Sequence, residues 1–346
     1  MTAKFKTVTG PVFLAIMLLV GACATTKDNG KRPPDWVNGV SSRYPANQYL
    51  VGRGAAANLD DAKDRARADL AKVFEVGITA ESSDLQTFER VTAGNNGASE
   101  SKGQLQISRN IQTRTDRVIS GIEIADLWKD PQSGTQYALA VLRRLQAAQA
   151  LRDDIDRLDE ATRLYVDKTN AEKDPLKRIA AASRAVEAQI ERANAQRSLQ
   201  VIDVTGRGVP PPWPLAQLRS ERETLIQDLT LATRGAGPDG DAIHDILDGA
   251  VSAAGFTIKS PEQARFTLTA ALDIGDIEQR EGWYWKKGTL EISLSDAENK
   301  VRGTRRWNIK SSALSKNDAQ RRALDQVNKI LKGDLRAVLI GFADNK

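Results

Sequence analysis

The chain has 346 residues, 40% of them hydrophobic and 27% charged, enough for two domains at about 100–200 residues each. Its 50 basic and 45 acidic residues leave a net charge of +5, too close to balance to argue for a nucleic-acid partner. A single cysteine excludes a disulfide within the chain, and a single histidine excludes a paired-histidine metal site or a base with a partner of its own kind.

The N-terminus opens with Lys4 and Lys6, followed by a mostly apolar run from Val8 to Val20. That run is shorter than the roughly 20 apolar residues a membrane-spanning helix needs, and it has the flanks of a signal-peptide core. Val20, Gly21, Ala22 and Cys23 close it. The order aliphatic, Gly, Ala, Cys resembles the lipobox of bacterial lipoproteins. That resemblance implies acylation of Cys23, cleavage after residue 22, and Cys23 as the first residue of the mature protein. The alternative is an ordinary signal peptide or a membrane helix with an incidental cysteine. Ala24, where an aspartate would imply retention in the inner membrane, implies an outer-membrane lipoprotein facing the periplasm. A lipidated terminus with two or more acyl chains, palmitate-type, is enough for stable attachment. Removing Met1–Ala22 takes away Lys4 and Lys6 and no acid, leaving 48 basic against 45 acidic residues, a net charge of +3.

Residues 23–33 read as a polar tether ending in Pro33 and Pro34, a stiff segment that pins Trp36 onto the first domain. Tyr49–Gly52 is a short strand, with Gly52 and Gly54 allowing a tight turn. Asn58 or Asp60 caps a helix running to about Lys72, with Leu59, Ala62, Ala66, Leu70 and Val73 at three- and four-residue steps. Val73–Thr79 follows as a strand. Pro34-Asp35-Trp36, Tyr49 to Gly54, Ala66 to Ala71 and Val73 to Ile78 together resemble the LPP-20-like outer-membrane lipoproteins over about residues 34–142. The resemblance is carried by packing residues and implies no chemistry.

Beyond it, 93–103 is a Gly/Asn/Ser-rich loop, and Leu105–Thr113 alternates as a half-buried strand. Val118–Trp128 is a further strand region, 130–134 a turn, and Tyr137–Leu142 a central strand. Residues 143–200 read as a helical hairpin, with Asp174 capping the second helix and Pro175 in its first turn. It is either a coiled-coil spacer or oligomerisation arm, or a hairpin packed on its own domains. The carboxylates Asp153, Asp154, Asp156, Asp159 and Glu160 point in several directions on a helix and read as a solvated face rather than a metal site.

Residues 201–214, with Pro210, Pro211 and Pro212, form a stiff linker. In the second domain, 215–346, the expected elements are a strand at Leu225–Ala232, a loop over 235–240, and a helix capped by Asp241 and stopped by Gly255. An antiparallel meander then follows, with a strand at Phe266–Ile274 and turns at Lys287-Gly288 and 296–299. The last helix opens at Ser315 with a capping box to Asp318 and has a possible kink at Gly333. His244 is expected at the edge of its helix face. Trp283 and Trp285 share one face of a strand. They either stack on sugars of peptidoglycan or polysaccharide, or contact a partner, or pack under a helix. The order of elements is loosely similar to anticodon-binding-like modules of periplasmic envelope proteins, a group that includes lipoprotein activators of peptidoglycan synthases.

No phosphate loop, nucleophile elbow, zinc motif or Cys/His cluster occurs. The expectation is therefore an α+β protein that is not an enzyme and uses no cofactor or metal. It has two α/β-sandwich-like domains with mostly antiparallel sheets, separated by the long hairpin. Its partners are a membrane, through the lipid, and an envelope protein or a second copy, with no nucleic acid. The first role is structural or assembly, and the resemblance makes a ring or flagellar-type scaffold conceivable. The alternatives are a regulator of a peptidoglycan synthase and a glycan-binding module.

Overall fold

The computed structural model describes residues 32–72, 121–275 and 278–343. The leader expected before Cys23, Cys23 itself, the strands expected at 73–79 and 105–113, the loop expected at 93–103 and the start of the strand expected at 118–128 lie outside the described residues. The order begins α1 (Asp35–Asn38), β1 (Tyr49–Ala56), α2 (59–72), β2 (Glu123–Lys129) and β3 (Gln136–Arg143). It continues through α3 (Arg144–Ala171), α4 (Pro175–Ile202), α5 (Leu215–Gln227), β4 (Thr230–Ala236), α6 (Gly240–Ala253) and β5 (Thr257–Ile258). It ends with β6 (Phe266–Ile274), β7 (Glu278–Arg280), β8 (Trp283–Asp296), β9 (Val301–Ala313) and α7 (Lys316–Gly341). The fold is α+β, as the pattern of periodicities implied.

Among the described residues the first sheet runs β1-β3-β2, both pairs antiparallel. β3 is central and buried on both faces, which is why it reads as a continuous apolar run rather than an alternating one. Ala138, Ala140 and Leu142 face a core shared with Ala66 and Leu70 of α2, Leu151 and Ile155 of α3, and Leu199 and Ile202 of α4. Leu139 and Val141 face the other way, under Trp36. Trp36 is 2% exposed. Its Nε1 donates to Asp126 Oδ2 at 2.9 Å, and its carbonyl accepts from Arg53 Nε at 2.6 Å. The expected pin is therefore present, and it closes one face of the sheet. Asn58 caps α2, its Oδ1 accepting the Asp61 N–H at 2.8 Å.

Gly52 and Gly54, expected to allow a tight turn after a short strand, make no turn. Both lie within β1, and a Cβ on Gly54 would sit 2.0 Å from the Ala62 carbonyl oxygen, one on Gly52 2.4 Å from that of Ala66. The glycines let α2 lie directly on the strand backbone.

The second sheet runs β5-β4-β6-β8-β7, with β9 on the other side of β8. It departs from a pure meander: β4 pairs in parallel with β5 and β6, because α6 carries the chain across the sheet, as a parallel pair requires. Phe266, Leu268, Ala270 and Leu272 of β6 and Leu290, Ile292 and Leu294 of β8 meet α6 and α7 on one face.

Four expectations are corrected here. Residues 215–227 are helix and the strand begins at Thr230. Leu225 and Ile226 belong to the last turn of α5, which buries Ile226. The expected loop over 235–240 starts late, since Gly235 and Ala236 still belong to β4. Asp241 does not cap α6: Asp239 holds that position without a side-chain cap bond, and its carboxylate accepts from Gln320 Nε2 at 2.7 Å instead. Finally, Lys287-Gly288 is not a turn. β8 is one strand of 14 residues, and a Cβ on Gly288 would lie 2.1 Å from the Asp273 carbonyl oxygen of neighbouring β6. That glycine serves close strand approach. The turn lies earlier, at Glu281 (φ 50°) and Gly282 (φ 78°), a two-residue connection whose twist suits a hairpin. The two helix-end markers are where the sequence puts them, and Gly333 does not interrupt its helix. Gly255 (φ 86°) stops the helix, and Ser315 Oγ accepts the Asp318 N–H at 3.1 Å.

α3 and α4 form the hairpin, and Asp174 caps α4 by accepting the Leu176 N–H at 3.0 Å. The hairpin does not project from the molecule. Leu176 and Ile179, near the start of α4, are part of the second core, while Ala195, Leu199 and Ile202, near its end, are part of the first. Two of the five carboxylates read as solvated turn inward. Asp154 is 6% exposed. Asp159 Oδ1 accepts from Arg192 Nε at 3.0 Å and Gln189 Nε2 at 3.1 Å. The proline-rich segment is extended and held along α4: Arg192 donates to the carbonyls of Val209 and Pro210, both at 3.1 Å, and the Val209 N–H donates to Gln196 Oε1 at 3.0 Å.

Candidate functional site

β8 alternates strictly. Its even residues Leu290, Ile292 and Leu294 are buried beneath the helices, so Trp283, Trp285, Lys287, Thr289 and Glu291 face the other way. Among the described residues no helix covers that face: its neighbours Asn308 and Lys310 on β9 and Glu278 and Arg280 on β7 are exposed. By this register Trp283 and Trp285 lie on the face opposite α6 and α7, not under either helix. The apolar half of the strand that follows them belongs to the opposite parity.

The two tryptophans sit where β8 runs beyond the end of β6, whose last pair is Ile274 with Gly288. There β8 is flanked by β7 and β9, with Trp283 opposite Arg280 and Trp285 opposite Glu278 and Ser312. The Glu281-Gly282 turn therefore delivers Trp283 to the tip of a hairpin arm. Trp283 is 41% exposed. Trp285 is half-buried and carries the Lys310 ammonium 5.2 Å from its ring centroid, a contact worth about 0.5–1 kcal/mol at an exposed site. Lys287 Nζ lies 3.5 Å, and Arg280 Nε 3.8 Å, from Glu278 Oε2. Lys286, of the opposite parity, points inward and bonds Gln320 of α7. The arrangement is one free aromatic face beside cations and one acid. It can stack on a ring and hydrogen-bond to polar groups.

His244 lies on α6 with Nε2 3.9 Å from Asp248 Oδ2 and a side chain 44% exposed, the boundary position expected of it. Among the described residues no cluster of His, Cys, Asp and Glu could hold a metal ion, and no helix is long and apolar enough to cross a membrane. Cys23, the expected lipid attachment point, lies outside the described residues.

One feature escaped the sequence. A cavity of about 270 Å³ lies between the hairpin and α5, with Val166, Ala182, Ala185, Trp213 and Leu218 beside Glu221 in its lining. Trp213 closes the proline segment and packs with Val186 and Ile190 of α4. A tryptophan inside a linker was the available signal, since such a ring must be covered by something.

Residues 34–143 match the family described as LPP20 lipoprotein, the same stretch that carries the LPP-20-like packing residues. Among solved structures the chain is similar to a minor lipoprotein from Acinetobacter baumannii, at 13% identity over 32% of this chain and 91% of that one, with a TM-score of 0.28. It is also similar to the secreted protein HP1454 from Helicobacter pylori, at 13% identity over 85% of this chain and 97% of that one, with a TM-score of 0.40. No curated protein sequence matches it.

Proposed function

We propose that this chain, whose residues 34–143 carry the LPP20 lipoprotein pattern, is a lipid-anchored cell-envelope protein with a structural or assembly role and no catalysis of its own. Cys23 is the attachment point in this reading, and Ala24 behind it directs the protein to the outer membrane, with the folded part in the periplasm. The observation that supports the assembly role is α4. Its first turns are built into one core and its last turns into the other, so two sheets are held apart by a strut of 28 residues, about 42 Å at 1.5 Å per residue. A rigid spacing between two surfaces is what a scaffold needs.

Two experiments test this. Cys23→Ser should move the protein from the membrane to the soluble fraction, and acyl chains should be found on Cys23 by mass spectrometry. A variant that stays on the membrane overturns the anchor. Light scattering after size exclusion, on the soluble chain from Ala24 onward, should give a defined oligomer. A monomer at every concentration would turn the reading towards a regulator of a single envelope partner, such as a peptidoglycan synthase.

A second reading is favoured by the exposure of Trp283 on the open sheet face: binding of wall polysaccharide through stacking. Co-sedimentation with purified peptidoglycan should then be lost in the double variant Trp283→Ala, Trp285→Ala while its thermal unfolding is little changed. Equal co-sedimentation of the double variant would dismiss it.

A further inference from the structure

Among the described residues β9 is an edge strand, paired to β8 alone. In an antiparallel pair, successive residues turn their N–H and C=O towards the partner and away from it in alternation. The Lys310 N–H donates to Gln326 Oε1 at 3.1 Å, and the Ser312 carbonyl accepts from Arg322 at 2.7 Å, both side chains of α7. Even-numbered residues of β9 therefore face outward. At 310 and 312 the outer edge is capped by α7. At Thr304, Arg306 and Asn308 the outward N–H and C=O groups have no such cap among the described residues, and the residues themselves are exposed.

The charge along this edge has one sign. From Lys300 to Ala313 there are five cations, Lys300, Arg302, Arg305, Arg306 and Lys310, and no carboxylate. Arg302 is engaged with Asp174 and Asp296, and Arg306 with Glu291. Arg305 and Lys310 lie over the Trp307 and Trp285 rings, at 5.9 and 5.2 Å, with no acidic partner among the described residues.

We propose that the free edge of β9 between Thr304 and Asn308 is a strand-addition site for an extended acidic segment of a partner protein. Main-chain hydrogen bonds to an exposed edge supply affinity, and alternate side chains supply selectivity. A second copy of this chain is the wrong occupant: pairing β9 with itself sets Arg305 and Arg306 against a like-charged strand, which is unfavourable. Charge on an edge commonly blocks self-pairing, and here the same charge selects an acidic visitor. The site stands on the geometry of β9 and does not depend on the lipid anchor or on self-assembly.

The test uses the soluble chain from Ala24 onward and a labelled peptide of about six residues, the usual length of a strand, alternating Glu with Thr and Val. A control peptide carries Lys for Glu, and another has Pro at its centre. Fluorescence anisotropy at low ionic strength should show saturable binding of the Glu peptide alone. Amide exchange should slow at Thr304, Arg306 and Asn308. Arg306→Glu should weaken binding at least about tenfold, as reversal of a charge at an interface does, and Asn308→Pro should abolish it, since proline is tolerated on an outer edge but cannot donate there. If Asn308→Pro fails to fold, Arg306→Glu and the exchange pattern decide. No saturable binding, equal binding of the Pro-interrupted peptide, or binding that leaves exchange at 304–308 unchanged overturns the proposal. So does a peptide-free dimer that protects the same amides, which would make a second copy the occupant.

Discussion

Arg302, at the start of β9, reaches the carboxylate of Asp174, which caps α4. One aspartate thus closes the N-terminus of the strut and fastens it to the second sheet, beside Leu176 and Ile179 in the core below. Asp174→Ala removes both roles. We expect a loss of about 1–2 kcal/mol, the upper part of the range for N-cap removal, read as a lower urea midpoint at unchanged slope. Asp174→Asn keeps an oxygen for the cap and should lose less. Equal losses in the two variants would mean that the ion pair, not the cap, sets the effect.

Acid should loosen both fastenings of the second core. Burial works to raise the Asp174 carboxyl, but the hydrogen bond from Arg302, the Lys177 N–H, the Arg302 charge and the Leu176 N–H together hold it below its usual value. Glu223 behaves alike: burial raises it, while the Arg336 hydrogen bond and charge and the Arg222 charge and hydrogen bond outweigh that. A carboxyl depressed in the folded state contributes stability that is present above its unfolded pKa and lost as pH falls through the folded one. With unfolded values of about 3.9 and 4.3, the contribution should be intact at pH 6 and above (roughly two units clear of both) and decline below about pH 4. Denaturant midpoints across that range should fall less steeply for Asp174→Asn combined with Glu223→Gln than for the parent chain. Parallel profiles would show that other carboxylates dominate.

Gly54 marks where α2 touches β1. Gly54→Ala places a methyl 2.0 Å from the Ala62 carbonyl oxygen, and backbone cannot step aside as a flexible side chain can. The expected loss is about 1–3 kcal/mol or more, as for overpacking elsewhere. The change should be felt in the first core and not in the second, so fluorescence of Trp36 and Trp128 should change with little effect on Trp307. A variant of parental stability would mean that α2 is free to slide.

Arg192 is 2% exposed, and Asp159 is its acidic partner. Asp159→Ala leaves a buried guanidinium with carbonyl partners only, and removing one member of a buried pair costs about 3–5 kcal/mol. Asp159→Leu combined with Arg192→Met should be milder than Asp159→Ala, because no charge is then left behind. If the double variant is the worse of the two, the carbonyls of Val209 and Pro210 depend on Arg192 for more than charge balance.

Much of this molecule is local in origin and could be read from residue order. The steps Ala62, Ala66, Leu70 define a helix face, the alternation Phe266, Leu268, Ala270, Leu272 defines a strand face, and Asp174-Pro175 and Ser315 mark helix starts, because each signal involves neighbours within one or two turns. The apolar run before Cys23 and the packing pattern of 34–143 are likewise matters of sequence. What needed the tertiary structure is whatever depends on a residue's distant neighbour. Gly288 looks like a turn until the Asp273 carbonyl is found beside it. Asp159 looks solvated until Arg192 arrives from the second helix. The side on which Trp283 and Trp285 lie follows from the parity of Leu290, Ile292 and Leu294, which could be counted only once β8 proved continuous. Whether the hairpin projects or bridges was decided by Leu176 and Ile202 meeting different cores, since helix periodicity specifies a buried face and not what buries it.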